Sequence, residues 1–90
     1  MIRAQIIESF QITGRGTVAV IDARTELPIG RCLQATIHHH DGSIEDFEAW
    51  KEWLLRSCKE RLEDEGFLIV NATIGQVPVG GSITLQIDDT

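Results

Sequence analysis

The sequence predicts a small closed antiparallel β-barrel of five to six strands carrying one inserted helix. Three observations lead there. Short runs of alternating apolar and polar residues recur along the chain, turn signals built on glycine and proline separate them, and one 23-residue stretch changes to a helical period. Ninety residues make one domain over 1–90 with a single core.

The first strand covers Arg3 to Thr13. Ala4, Ile6, Phe10 and Ile12 share one parity, taken as the inner face, while Glu8 and Ile7 break the pattern and predict a bulge near Ile7–Ser9. Gly14-Arg15-Gly16 follows, and then Thr17 to Ile21, which is apolar on both parities and rich in β-branched residues. Two glycines between such runs make a hairpin loop, because glycine adopts positive φ without steric cost. A dinucleotide-binding loop would need a helix after the glycines, and Thr17–Ile21 is a strand instead.

Leu27-Pro28-Ile29-Gly30 is a second turn. Arg31 to His39 then reads as a third strand, with Leu33, Ala35 and Ile37 on one face. A helix is expected from Ser43 to Glu65. Ser43 serves as its N-cap, and Phe47, Trp50, Leu54, Cys58 and Leu62 form an apolar stripe at spacings of three and four. Trp53 falls at the edge of that stripe beside Ala49 and Ser57, where a large aromatic suits a protein interface. Phe67 to Val70 reads as a fully buried strand, Gly75 to Gly81 as a loop, and Ser82 to Ile87 as the last strand.

The formal net charge is −6. It is uneven: residues 1–31 carry four arginines against three acids, whereas residues 43–65 carry eight acids against four cations. There is no basic stripe of the kind that binds polyphosphate by counterion release. General nucleic-acid binding is therefore disfavoured, which leaves room only for a small site on a few arginines near the amino end. Cys32 and Cys58 lie 26 positions apart and form no CxxC pair, so both are read as buried thiols of a cytoplasmic protein. The chain opens without a secretory signal pattern and contains no membrane-spanning run.

His38 and His40 have the His-x-His spacing of metal ligands on a strand, but no third ligand is identifiable, and they are read as solvated loop histidines. No metal or cofactor is expected. No catalytic constellation stands out either: Ser82 lacks a nucleophile elbow, and the acids of 43–65 are interleaved with cations.

"FQITGRGTVAV" resembles the start of the second domain of elongation factor Tu and related translational GTPases, where a strand ends in Gly-Arg-Gly-Thr-Val. "LPIGRCL" is similar to the family's following turn, with Arg31 in place of its acid. "EGFLIVNATIGQVPVGGSI" is similar to a later segment, which enters its last strand through Val-Pro-x-Gly. The matches fall in order over about two thirds of the chain; the long stretch from Ser43 to Glu65 departs from the family. The resemblance implies a barrel that docks, without GTPase activity, since the phosphate-binding Gly-x4-Gly-Lys-[Ser/Thr] motif is missing.

Two functions are expected from these readings. One is a non-catalytic module that binds a protein or a second copy of itself, in the manner of an immunity or inhibitor protein, through Trp53, Ala49, Ser57 and Glu60. The other is a binder of a tRNA-like 3′ end through Arg15, Arg24 or Arg31.

Overall fold

The computed structural model describes residues 2–23, 25–52 and 65–88. Six strands form a closed barrel: β1 (Ile2–Ile12), β2 (Gly16–Ile21), β3 (Leu33–His38), β4 (Ile44–Glu52), β5 (Glu65–Val70) and β6 (Ser82–Ile87). Every neighbouring pair is antiparallel, and the order around the barrel is β1-β2-β5-β4-β3-β6. Closure gives each of the six a neighbour on both sides, although β4 meets β5 only over Ala49–Glu52 and β1 meets β6 only over Ile2–Gln5.

The interior is filled from alternate positions. Leu33, Ala35 and Ile37 on β3 point inward, as their period of two requires, and meet Ile83 and Leu85 of β6. Ile6, Ala19, Ile21, Phe67 and Ile69 complete the wall from the other strands, all at 0% exposure. Thr17 is equally buried; its hydroxyl donates to the Ala72 carbonyl at 2.8 Å, which offsets the cost of taking the polar group out of water.

The bulge falls where the alternation broke, with a register shift between Ile6 and Glu8. Its effect on the face of the strand is larger than the pattern suggested. Before it, even-numbered residues such as Ile6 point inward. After it, Phe10 stands opposite Val18, and Ile7 and Ile12 pack with Val18, Val20 and Leu68 in a second cluster on the outer wall. The inward placement expected for Phe10 and Ile12 is thus reversed, because one extra residue exchanges the two faces of a strand.

The larger correction concerns Ser43 to Glu65. Residues 44–52 are strand β4, paired with β3 from Leu33↔Ala49 to His38↔Ile44 and with β5 from Ala49↔Ile69 to Glu52↔Gly66. Backbone pairing on both sides outweighs the helical spacing of Phe47 and Trp50. Phe47 and Ala49 face the core cluster, while Asp46, Glu48 and Trp50 face out. Glu65, expected to end the helix, opens β5. Leu54, Cys58 and Leu62 lie outside the described residues. Among the described residues the only helical element is a 3-10 turn at Ile74–Gln76.

Both ends of the barrel are tied by side chains. At the end carrying the β3–β4 hairpin, Glu45 joins His39 Nε2 at 2.8 Å and accepts from Gln76 Nε2 at 2.9 Å, linking that hairpin to the β5–β6 connection. At the opposite end Glu65 accepts from the Thr25 N–H and hydroxyl at 2.9 and 2.6 Å and pairs with Lys51 at 3.1 Å. Lys51 also donates to the Leu27 carbonyl at 2.8 Å, which fastens the long β2–β3 connection to the barrel.

Candidate functional site

Gly14-Arg15-Gly16 is the turn between β1 and β2, and its backbone is held from several sides. The Arg15 N–H donates to the Ile12 carbonyl at 3.0 Å, and the Arg15 carbonyl accepts from the Asn71 N–H at 3.1 Å. Gly14 takes φ +82°, which favours glycine, with open space where a Cβ would stand. Gly16, at φ +145°, approaches the Ile69 carbonyl oxygen so closely that a Cβ would overlap it.

From this fixed base the Arg15 side chain runs across the outer wall to Glu52 on β4, with Nη2 and Oε1 3.3 Å apart. The arginine side chain is 60% exposed and the glutamate 32%. Beside this pair lies a groove of about 390 Å³ bordered by Gly14, Arg15 and Asn71 on one side and by Glu48 and Trp50 on the other, over Leu68 and Val70. Trp50 Nε1 donates to Glu48 Oε2 at 2.8 Å, which sets the indole beside that carboxylate. A smaller recess of about 230 Å³ continues past Arg15 toward Gln11, Ile12 and Thr73.

Of the binding residues expected from the sequence that are described, the structure puts Arg15 at this groove and neither Ala49 nor Arg31. Ala49 is turned into the barrel at 0% exposure, between Leu33 and Ile69, so it offers a partner nothing to touch. Arg31 is exposed in the β2–β3 connection, at the end of the barrel away from Arg15. Arg24, Trp53, Ser57 and Glu60 lie outside the described residues. Sequence reasoning missed Glu48, Trp50, Leu68 and Asn71 as groove residues, and Glu52 as the partner of Arg15. The signal available for Trp50 and Glu52 was their shared even parity with Asp46 and Glu48, which a strand turns to the outside.

The histidines do not converge. His38 Nε2 meets the Thr84 hydroxyl at 3.0 Å, His39 is paired with Glu45, and His40 lies where a Cβ on Gly80 would stand 3.5 Å from its Nε2. Among the described residues no group of three or more His, Cys, Asp or Glu side chains is placed to hold a metal ion. Partial burial, and then the negative charges of Glu48 and Asp88, push the Cys32 thiol up, the direction opposite to that of an activated cysteine. Cys58 lies outside the described residues. Asp41, in the β3–β4 hairpin, is held below its usual range by the Ser43 hydroxyl and N–H, at 2.6 and 2.9 Å.

These features define a small closed antiparallel β-barrel with an outward groove built on one hairpin turn and two neighbouring strands. No protein family, curated protein or solved structure matches the chain. Among the described residues no helix is long and apolar enough to cross a membrane.

Proposed function

We propose that the chain is a non-catalytic binding module of the kind its resemblance to the second domain of elongation factor Tu implies, acting by protein–protein interaction through the groove beside Arg15. The observation that carries this reading is the make-up of the groove: an apolar floor of Leu68 and Val70, an aromatic wall in Trp50, and charges of both signs at the rim. Aromatic and arginine side chains around a desolvated centre are what protein interfaces favour. Apart from the exposed Ile44, the remaining outer wall of β3, β4 and β6 is polar, with Gln86 donating to Gln34 at 3.0 Å and Thr36 to Asp46 at 2.6 Å. The partner is another protein or a second copy of the chain, and a role as an inhibitor or immunity factor in the cytoplasm fits an acidic protein of this size.

A photo-crosslinking side chain at Asn71, with one at Gln34 on the polar wall as control, tests the proposal in cells. A protein adduct formed from Asn71 and not from Gln34 is the expected result. Adducts from neither position, or equally from both, would remove the groove from consideration.

A second reading rests on the exposure of Arg15, which suits a tRNA-like 3′ end. Glu48 and Glu52 beside it would repel phosphates, and the net charge of −6 acts in the same direction. An RNA adduct from Asn71 would favour this reading over the first.

A further inference from the structure

Asp46, Glu48, Trp50 and Glu52 follow one another at every second position along the outer side of β4. Alternate residues of a strand stand roughly 6.6 Å apart, so this row offers carboxylates on both sides of one indole. Next to it, Leu68 and Val70 of β5 form the apolar floor. Among the described residues, the one cation lining this groove is Arg15, which reaches from the β1–β2 turn to lie against Glu52.

The pair adds little to the stability of the fold, since both partners are partly exposed and water screens them. Its backbone support is nevertheless extensive: two hydrogen bonds hold the Arg15 main chain, and Gly16 is pressed against Ile69. A fixed base that carries an exposed, weakly held guanidinium suits a side chain that is meant to be displaced.

We infer that Arg15 is an internal stand-in for a basic side chain of the partner. The occupant is an extended peptide segment of another protein, in which an apolar residue settles on Leu68, Val70 and Trp50, and a neighbouring lysine or arginine takes Arg15's place at Glu52. Charge complementarity selects this occupant: with Arg15 swung away, Glu48 on the rim and Glu52 next to Arg15 are left without it, on a chain whose net charge is already −6. Where Trp50 and Glu52 stand, β4 is already paired with β5 on the side of the groove, so recognition there runs through side chains. The inference rests on the protein-binding reading above and adds the chemistry of the partner.

Two fluorescent hexapeptides test it, one alternating leucine with arginine and the other leucine with glutamate. Their affinities for the full chain are read by anisotropy at low and at near-physiological salt. Arg15→Ala is expected to tighten the leucine–arginine peptide by about threefold to tenfold, because a competitor for Glu52 is gone. Glu52→Gln should weaken it by a similar factor. Arg31→Ala removes the same charge at the far end of the barrel and should change it by less than about twofold, since distant exposed charges are screened. Thermal melts confirm that each variant is folded.

Weaker binding in Arg15→Ala would overturn the inference, making Arg15 itself a contact. An equal gain from Arg31→Ala would overturn it too, by reducing the effect to bulk charge. Preference for the leucine–glutamate peptide, or no binding of the leucine–arginine peptide to any variant, has the same consequence. A protein adduct from Asn71 alongside any of these results leaves the binding-module reading standing without this partner.

Discussion

Gly16 stands against the carbonyl oxygen of Ile69, with no room between them for a side chain. This contact lets β2 begin its pairing with β5 at Gly16↔Val70 while the preceding turn still points Arg15 across the outer wall. The two glycines of the turn are therefore unequal. Gly16→Ala should cost about 3 kcal/mol or more, since a Cβ would strike main chain that cannot move without opening the barrel. Gly14 faces open space, and Gly14→Asn should cost less than about 1 kcal/mol because asparagine tolerates positive φ. Urea unfolding midpoints of the two variants check this, and equal losses would contradict it.

The ion pair at the other end of the barrel makes a pH prediction. Burial acts to raise the Glu65 carboxyl, but hydrogen bonds from Thr25 and Lys51 and the Lys51 charge outweigh it and hold it below its ordinary 4.5. A carboxyl lowered in the folded state stabilises the protein above its unfolded value, and that contribution is lost as pH falls through the folded value. Glu65→Gln should therefore cost about 1–2 kcal/mol at neutral pH and progressively less as pH falls below 4.5 and through the lowered folded value. Thermal melts of both proteins across that range decide it; a difference that does not vary with pH would mean that the charge on Glu65 is irrelevant.

Neighbouring residues on β4 separate a strand from a helix at residues 44–52. Ala49→Asp buries an unpaired charge among Leu33, Ile69 and the rest of the core, and should cost several kcal/mol. Glu48→Lys, one residue earlier on the outer side, should stay within about 1 kcal/mol of the parent. Were both variants equally tolerated, Ala49 would not face the interior.

What could be read from the sequence was local. The Gly14–Gly16 hairpin, the alternation of β3 and β6 and the two-sided burial of β2 and β5 follow from patterns a few residues long, and all of them hold in the barrel. β4 was illegible because Phe47 and Trp50 lie three apart and the surrounding glutamates favour a helix. Its strand form comes from partners on β3 and β5 that the local pattern does not contain. The bulge on β1 was legible but its consequence was not, since the reversal of Phe10 and Ile12 shows only once their neighbours are known. The groove divides the same way: Arg15 was visible at its turn, whereas Glu52 reaches it from 37 positions along the chain.

The seam of the barrel joins Ile2 to Leu85 and Gln5 to Ser82, so its first strand is sealed by its last. During synthesis β1 leaves the ribosome long before β6 exists. Through that interval β1 has no neighbour on one side, and β3, which also pairs with β6, is bare along Leu33–His38. A nascent chain halted before Ser82 would carry two open strand edges, the kind of surface that invites pairing with other chains. In the folded barrel both of those edges are taken up by one strand, Ser82–Ile87.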